Sequence, residues 1–413
     1  MRGNGDKIHP VSPFLRFSDS PFLFPMSTTR LDISLLLIAL ALVATGTVMI
    51  YSASSVLGEM RFESSSFFLN RWLLRAGLAL LLMTLVMRVN YQVWALLAKP
   101  LLILGVGLLL AVALQKLLSG NAGIRGAHRW IQVASVSFQP SELVKLILVI
   151  YLAESLARRQ AHLHEIREFG HHAAVVAAVA GLIVLQPDLG MAVGLGAVAA
   201  LMMVVAGVRL RYMFGSALAA LPLLYVLIFW VGYRKDRIEA FLSRGEHIQG
   251  KGYQITQSLV GLASGGLTGV GLGQSHQKFL FLPDPHTDFV FSILGEEWGL
   301  LGTVTVVVLF LLFGLTGFRI ARRAPDLHGF LLSVGVTSLV LVYALLNVGV
   351  VTAVLPTTGL PLPFISYGGS SLMLTLIGVG ILLNVARQGV APQTPLAPMT
   401  GALDWPPRPG RGT

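Results

Sequence analysis

The chain has 413 residues, of which 54% are hydrophobic and only 12% are charged, and its formal net charge is +11. Soluble domains carry about 25% charged residues, so the composition excludes a water-soluble multidomain protein and indicates one that crosses a membrane several times. The sequence contains no cysteine, which excludes disulfides, zinc–thiolate sites and cysteine nucleophiles. No basic run is interleaved with aromatic residues, so the positive charge favours lipid headgroups, basic inner loops or a phosphorylated substrate over nucleic acid.

Both ends of the chain are predicted to be disordered cytoplasmic tails. Residues 1–30 hold scattered Pro, Ser and Arg without helical periodicity, and they lack the apolar core of a signal peptide. Met26 is an alternative start within this tail. Residues 389–413 are rich in Pro, which is typical of a disordered extension. We therefore assign the membrane domain to residues 31–388.

Ten apolar segments lie between the tails, near the length of about 20 residues that a membrane helix needs. They cover residues 32–53, 69–88, 92–114, 138–157, 170–186, 189–207, 213–233, 287–318, 328–352 and 364–386. Because these runs are continuously apolar rather than alternating, a closed β-barrel is excluded. Lys and Arg residues of the short loops are more numerous on the side of the membrane where the two tails lie, and such an excess marks the cytoplasmic side. The predicted fold is an all-α polytopic membrane protein with about ten transmembrane helices, N-in and C-in.

Four outward-facing segments carry the unusual residues of the chain: 115–136, 186–190, 234–286 and 355–369. The third is predicted to be a large extracytoplasmic loop between helices 7 and 8. Connections of this length in a compact protein are usually functional. We therefore expect a functional site on the outer side of the membrane.

The fourth predicted helix carries two opposite charges near its outer end. Glu142 and Lys145 are three positions apart and so lie on one helix face. A charge at membrane depth is costly, so it either pairs or lines a cavity. Two interpretations stay open: a Glu–Lys pair that only neutralises itself, or a pair that lines a cavity together with Asp188, which we expect at the same depth.

Asp188 belongs to the turn QPDLG between two apolar segments. Pro187 and Gly190 interrupt the helix and free backbone groups that need protein or water as partners. Asp188 can cap the helix that follows, or it can belong to an active site. The two roles are compatible.

Asp288 lies where the large loop enters the eighth predicted helix, in the sequence HTDF. Partial removal from water raises the pKa of a carboxyl group, which suits a general base. His286 could orient Asp288 or contact a substrate, and the alternative is that Thr287 or Asp288 caps the helix. Glu296 and Glu297 follow about two turns later, and we expect Lys or Arg of the loop to pair with them.

The glycine-rich stretch GLASGGLTGVGLGQ at 261–274 does not predict a phosphate site. It follows no strand of a βαβ unit and matches neither the dinucleotide fingerprint nor the P-loop, so we interpret it as a flexible or helix-breaking part of the loop. Gly190 and Gly194 form a GxxxG pair, which marks close helix packing more often than chemistry. The ten His residues show no metal-ligand spacing, and no nucleophile elbow is present.

Five motifs, in order, resemble the SEDS (shape, elongation, division and sporulation) family of membrane glycosyltransferases that polymerise peptidoglycan. They are VMIYSASS at 48–55, GAHRWIQVASVSFQPSELVKL at 126–146, QPDLGMA at 186–192, residues 252–299 with GLGQSHQK and HTDF, and LPLPFISYGGSS at 360–371. The strings QSL, GLGQSHQK and LPxxHTDF are more similar to the FtsW-type division enzymes than to the RodA type. Asp284, Met191 and Thr358 depart from the usual family residues.

This resemblance implies that the chain polymerises lipid II, a disaccharide-pentapeptide on undecaprenyl pyrophosphate. Asp288 would be the general base, inversion would give a β-1,4 link, and undecaprenyl pyrophosphate would leave. An anionic leaving group needs cations, supplied by basic side chains or shared with a divalent ion such as Mg²⁺ or Mn²⁺. The candidate substrate-binding residues are Arg129, Glu142, Lys145, Asp188, Arg244, Lys251, Lys278, His286, Thr287, Ser366 and Ser370.

The resemblance also implies partners: a class B penicillin-binding protein transpeptidase of the FtsI type, divisome activators and membrane lipids. It implies a place in the bacterial cytoplasmic (inner) membrane, at the division septum. A RodA-type elongation enzyme is the alternative within the family. A lipid II flippase is the alternative in another class, but the two matching halves with broken helices that would favour transport are not visible in the sequence. A divisome scaffold without chemistry would leave the outer carboxylates unexplained.

Overall fold

The computed structural model describes residues 30–119, 129–133, 136–226, 252–279, 281–283 and 285–389, together with the single residues 229 and 241. In chain order the helices and strands are α1 Arg30–Phe62, α2 Phe67–Val86, α3 Tyr91–Ser119, β1 Ile131–Val133, β2 Val136–Phe138, α4 Pro140–Arg158, α5 Ile166–Leu185, α6 Leu189–Val205, α7 Leu210–Tyr225, α8 Tyr253–Ser264, α9 Val290–Arg322, α10 Leu327–Val351 and α11 Gly369–Gln388. A short 3₁₀ turn, Gln160–His162, follows α4. The described part of the chain is therefore mainly helical.

Each of the ten predicted apolar segments overlaps one of these helices. By length and composition, seven of the described helices can cross a membrane: α1, α2, α3, α5, α9, α10 and α11. The sequence does not indicate two local features. The strands β1 and β2 form an antiparallel hairpin in which Ile131 pairs with Phe138, and helix α8 lies within the predicted loop 234–286. The last helix begins at Gly369, so residues 364–368 of that predicted span are not helical.

Helices α10 and α11 lie at the centre of the bundle. In their most apolar stretches 67% and 78% of the residues are buried, against 22% in α2 and α3. Helix α10 packs against α9, α4 and α6, and α11 packs against α2 and α1. A polar side chain on α10 or α11 therefore points into protein far more often than into lipid.

Glycine lets several of these helices approach closely. A Cβ added at Gly317 of α9 would overlap Oγ1 of Thr337 on α10, and one added at Gly380 of α11 would lie 2.7 Å from the carbonyl oxygen of Met83. Helices in lipid associate mainly through such close contact, because lipid tails are as apolar as the side chains. Small residues therefore fix the spacing around α10 and α11.

Side-chain amides and carboxylates close one end of the bundle, which we call the Asp326 end. The Oδ1 atom of Asn384 accepts a hydrogen bond of 2.8 Å from the Tyr91 N–H, and its Nδ2 atom donates to the Met87 carbonyl at 2.9 Å. The Tyr91 hydroxyl donates to Oδ2 of Asp326 at 3.0 Å. Asp326 also caps α10 through the Gly329 N–H. The opposite end, where α10 terminates, is the Asp288 end.

Candidate active site

Asp288 lies in the turn before α9 and contacts the non-helical segment 355–368. The nitrogen Nδ2 of Asn347 donates to the Asp288 carbonyl oxygen at 2.8 Å and to the Leu360 carbonyl oxygen at 2.7 Å. Gly359 has a φ of +76°, and a Cβ placed on it would lie 3.4 Å from Oδ2 of Asp288. This backbone conformation favours glycine. The half-buried carboxylate of Asp288 is thus held next to the backbone of the loop before α11.

His286 and Thr287 share the turn of Asp288. The Tyr367 N–H donates to the His286 carbonyl at 2.9 Å. The imidazole is buried, 4.9 Å from the Phe68 ring and 5.4 Å from the Tyr367 ring between centroids. The N-cap residue of α9 is Phe289 and not Thr287 or Asp288. The structure therefore places His286 in an aromatic cluster that fixes the turn.

Asp188 caps α6 and pairs with Arg129. Its Oδ1 atom accepts from the Met191 N–H, and its Oδ2 atom lies 3.2 Å from Nη1 of Arg129. The same guanidinium donates from Nε to the Gln186 carbonyl at 2.9 Å and from Nη2 to the Pro187 carbonyl. The predicted capping role is confirmed. The planar guanidinium of Arg129 therefore bonds to three consecutive residues, 186–188, and fixes the turn before α6.

We expect Arg129→Lys to destabilise the protein by about 2–3 kcal/mol. The three acceptors are contacted by three separate nitrogens of the guanidinium, whose positions a single ammonium nitrogen cannot reproduce, and hydrogen bonds of charged groups contribute about 1.5–3 kcal/mol. The melting temperature of the detergent-purified protein measures this loss. The matched control is Arg158→Lys, since Arg158 pairs with Glu154 at 3.0 Å but is 67% exposed, and exposed pairs contribute about 0.5 kcal/mol. Equal melting temperatures for the two variants would contradict the holding role of Arg129.

Glu142 and Lys145 form a buried ion pair at the start of α4. Nζ of Lys145 lies 2.8 Å from Oε2 of Glu142 and 4.0 Å from the centroid of the Tyr343 ring. The Tyr343 hydroxyl donates to the Met191 carbonyl at 3.0 Å, in the first turn of α6. Tyr343 therefore connects the Glu142–Lys145 pair to the turn that Asp188 caps.

The same pair also lines a small cavity of about 20 Å³, room for about one water molecule, between α4, α10 and α11. Its polar lining includes Glu142, Lys145 and Tyr343. Pro361 and Pro363, from the loop before α11, also line it. The remaining wall is mostly apolar and includes Leu146, Val336, Leu339, Val340 and Leu374. The pair therefore neutralises itself and also lines a cavity. Asp188, which we expected to line the same cavity, is not among the residues around it and caps α6 instead.

The serines of the loop before α11 accept backbone hydrogen bonds. The Ser366 hydroxyl accepts from the Leu362 N–H at 2.8 Å, and the Ser370 hydroxyl accepts from the Gln139 N–H at 3.4 Å. Both side chains are buried. They fix the loop and join it to the start of α4, on one wall of the cavity.

Lys278 is buried beside Glu297, at 3.7 Å between Nζ and Oε1, and it donates to the Gly273 carbonyl. The expected pairing of a loop lysine with Glu297 is confirmed. The expectation is wrong for Glu296, whose carboxylate accepts from the Ser275 hydroxyl and from the N–H groups of His276 and Gln277. Arg244 and Lys251 lie outside the described residues.

The glycine-rich stretch breaks a helix and packs against α9. Helix α8 ends at Ser264, within the stretch, so the helix-breaking interpretation is confirmed. Helix α9 itself breaks at Gly299, where φ is 66° and ψ is −161°, a region that essentially only glycine adopts. Four backbone hydrogen bonds join the stretch to α9 on both sides of this break: from the N–H groups of Val270, Gly271, Leu300 and Leu301 to the carbonyls of Glu296, Glu297, Gly266 and Leu267, respectively.

Two residues of this site are not singled out by the sequence analysis: Tyr343 and Asn347 of α10. They are polar residues four positions apart in an otherwise apolar run, and both are buried. Residues four apart share one helix face, so the sequence could have indicated a polar face on this helix. It does not show which loops the two side chains contact.

The resemblance allows a divalent ion such as Mg²⁺ or Mn²⁺ in the site, but the described part of the chain shows no set of side chains that would bind one. No group of three or more His, Asp or Glu side chains lies together there. Asp188 and Glu142 pair with Arg129 and Lys145 instead. These residues do not fit a metal site built by the protein alone.

The chain matches the family described as cell cycle proteins, with the members FtsW, RodA and SpoVE, over residues 32–390. It is 43% identical over 360 residues to a protein of Geobacter metallireducens named "Probable peptidoglycan glycosyltransferase FtsW", covering 87% of this chain and 95% of the relative. It is 40% identical over 361 residues to the stage V sporulation protein E of Bacillus subtilis, covering 87% and 98%.

Solved structures show the same fold. A chain of a peptidoglycan synthase complex, described as coordinating polymerization and crosslinking, aligns with a TM-score of 0.71 at 32% identity and covers 86% of this chain and 98% of that chain. The rod shape determining protein RodA of Thermus thermophilus aligns with a TM-score of 0.63 at 30% identity, covering 86% and 97%. The similarity therefore extends over nearly all of the described helices.

Proposed function

This chain belongs to the FtsW, RodA and SpoVE family of cell cycle proteins, and from that membership we propose that it is a peptidoglycan glycosyltransferase that polymerises lipid II during septal wall synthesis. The observation that carries the proposal is the position of Asp288. Its carboxylate lies against Gly359, two residues before Pro361, which lines the cavity beside Glu142 and Lys145. Relatives named as FtsW support the division role over the elongation role.

In the proposed reaction, Asp288 accepts the proton of the 4-hydroxyl group of the acceptor's GlcNAc. The freed oxygen forms a bond to C1 of the donor's MurNAc, and the bond from C1 to the pyrophosphate oxygen breaks with inversion. The products are a β-1,4 glycosidic link and undecaprenyl pyrophosphate, with the proton on Asp288.

The leaving group carries negative charge, so its departure requires cations in place. We assign this role to Lys145 and Arg129, which lie in the polar lining of the cavity and at the neighbouring turn. Both are paired with carboxylates, Glu142 and Asp188, so the substrate pyrophosphate would compete for them. Arg244, Lys251 and Lys278 of the large loop complete the proposed basic set, and His286, Thr287, Ser366 and Ser370 complete the proposed contacts with substrate.

The protein is a multi-pass membrane protein, and we propose the following number and orientation of its spans. We place ten spans with both ends in the cytoplasm, so that Asp288, the 234–286 loop and the segment 355–368 face outward. This side suits a lipid-anchored substrate whose sugars lie in water while its tail lies in hydrocarbon.

We further propose a class B penicillin-binding protein transpeptidase as the partner that crosslinks the new strands, with divisome activators controlling both enzymes at the septum of the inner membrane. The solved complex that this chain resembles is described as coordinating polymerization with crosslinking. That description supports the assignment of a transpeptidase partner.

A polymerisation assay tests the function. The purified chain, in complex with its cognate transpeptidase and a β-lactam that blocks crosslinking, is incubated with labelled lipid II. We expect ladders of uncrosslinked glycan strands on a gel, and no ladders from the transpeptidase alone. No strands, together with ATP-independent movement of lipid II across vesicles that contain the chain, would replace the proposal with a flippase.

A further inference from the structure

Asn347 is buried near the end of α10 and uses one nitrogen for two hydrogen bonds. It is 1% exposed, and Nδ2 donates to the carbonyl oxygens of Asp288 at 2.8 Å and Leu360 at 2.7 Å. Both partners are acceptors, so the amide must present its NH₂ group to them. Its Oδ1 atom is buried without a hydrogen-bond partner in the described part of the chain. The side chain is therefore turned wholly toward these two carbonyls.

The two carbonyls belong to segments that reach the site from different helices. Asp288 precedes α9, whereas Leu360 lies between α10 and α11. A second bond, from the Tyr367 N–H to the His286 carbonyl at 2.9 Å, joins the same two segments. Of these connections, only Asn347 attaches the Asp288 backbone to a central helix.

The same face of α10 also positions the other half of the site. Tyr343 lies one turn before Asn347 on that face, and it donates to the Met191 carbonyl and lies under Nζ of Lys145. One rigid helix thus sets the distance between the turn of Asp288 and the turn that Asp188 caps.

We propose that Asn347 is a positioning residue for the general base: it fixes the Asp288 backbone, and through it the carboxylate, relative to α10. The inference rests on the proposed function. Proton transfer requires the base within about 2.6–3.2 Å of the proton's heavy atom, and a misplacement of about 1 Å can cost about 10²-fold in rate. Without Asn347 both carbonyls lose this donor, and this attachment of the turn to α10 is lost.

The test compares Asn347→Ala and Asn347→Ser with Asn384→Ala, each in the complex with the transpeptidase. Asn384 is a matched control, because it is a buried asparagine that also bridges two backbone groups, but at the Asp326 end. Asn347→Ser leaves a smaller gap, and its short hydroxyl can bond within the helix but cannot span both carbonyls. For each variant kcat and KM for lipid II are measured, together with the melting temperature.

We expect kcat to fall about 10²-fold in both Asn347 variants, while KM for lipid II stays within about threefold. Asn384→Ala should lower the melting temperature by a similar amount and leave kcat within about twofold of the wild type. Wild-type kcat in Asn347→Ala or Asn347→Ser would overturn the inference, as would an equal loss of kcat in Asn384→Ala. Failure of the proposed function is distinguishable, because then the wild-type complex itself makes no strands.

Discussion

Asp288→Asn should abolish strand formation, with a loss in kcat of about 10²–10⁴-fold, the range that general-base catalysis contributes. An amide has the shape of the carboxyl group but cannot accept the proton of the attacking hydroxyl. The Asn347 bond to Asp288 involves the backbone carbonyl, so the substitution leaves it in place. Gel analysis of strands from labelled lipid II, at equal protein abundance, measures the effect.

The matched control is Asp326→Asn. Asp326 also precedes a helix, but it caps α10 at the opposite end of the bundle, where it accepts from the Gly329 N–H and the Tyr91 hydroxyl. The amide oxygen can still accept from the Gly329 N–H, and the NH₂ group can donate to the Tyr91 hydroxyl, so we expect nearly normal strand formation. Full activity in Asp288→Asn would remove the general-base assignment, while loss of activity in both variants would point to a general effect of charge.

Gly265→Ala should be among the most destabilising single substitutions in the chain. The added Cβ would overlap the Gly295 carbonyl oxygen and lie 3.0 Å from the Glu296 Cα. These are backbone atoms and cannot rotate away, so α8 must separate from α9, at a cost of about 3 kcal/mol or more. We expect a strongly lowered melting temperature or no folded protein after purification.

Gly196→Ala on α6 is the control for this prediction. No atom lies within 4 Å of the added Cβ, and alanine in a helix is favoured over glycine by about 0.5–1 kcal/mol. The melting temperature should therefore stay equal or rise slightly. If Gly265→Ala melted at the wild-type temperature, the close contact between α8 and α9 would not exist in the membrane.

The sequence predicted those parts of the fold and site that depend on neighbouring residues. The apolar runs located the helices, the three-residue spacing placed Glu142 and Lys145 on one face, and the turn QPDLG placed Asp188 at a cap. Lys145 lies within about one helical turn of Glu142, and the backbone N–H that Asp188 caps lies three residues after it. Local geometry alone therefore determines the contact.

Contacts between distant residues could not be predicted in this way. Asn347 meets backbone groups 13 and 59 positions away, and an asparagine in an apolar run does not show which loops will reach it. The sequence indicates only a flexible or helix-breaking role for the glycine-rich stretch 261–274, and it does not identify Gly295 as the residue against which Gly265 packs. The sequence likewise does not show which of the two adjacent carboxylates, Glu296 or Glu297, pairs with Lys278. Only the folded chain brings these groups together.

The break in α9 has a consequence for the order in which the protein is made. Unsatisfied backbone groups in a membrane cost several kcal/mol each, and those beside Gly299 are satisfied by residues 266–271. These residues precede α9 in the chain, so a ribosome synthesises the partner segment first. The outer part of α9 can therefore find its partners as soon as it emerges. A permuted chain, in which this segment followed α9, would leave the break exposed during insertion.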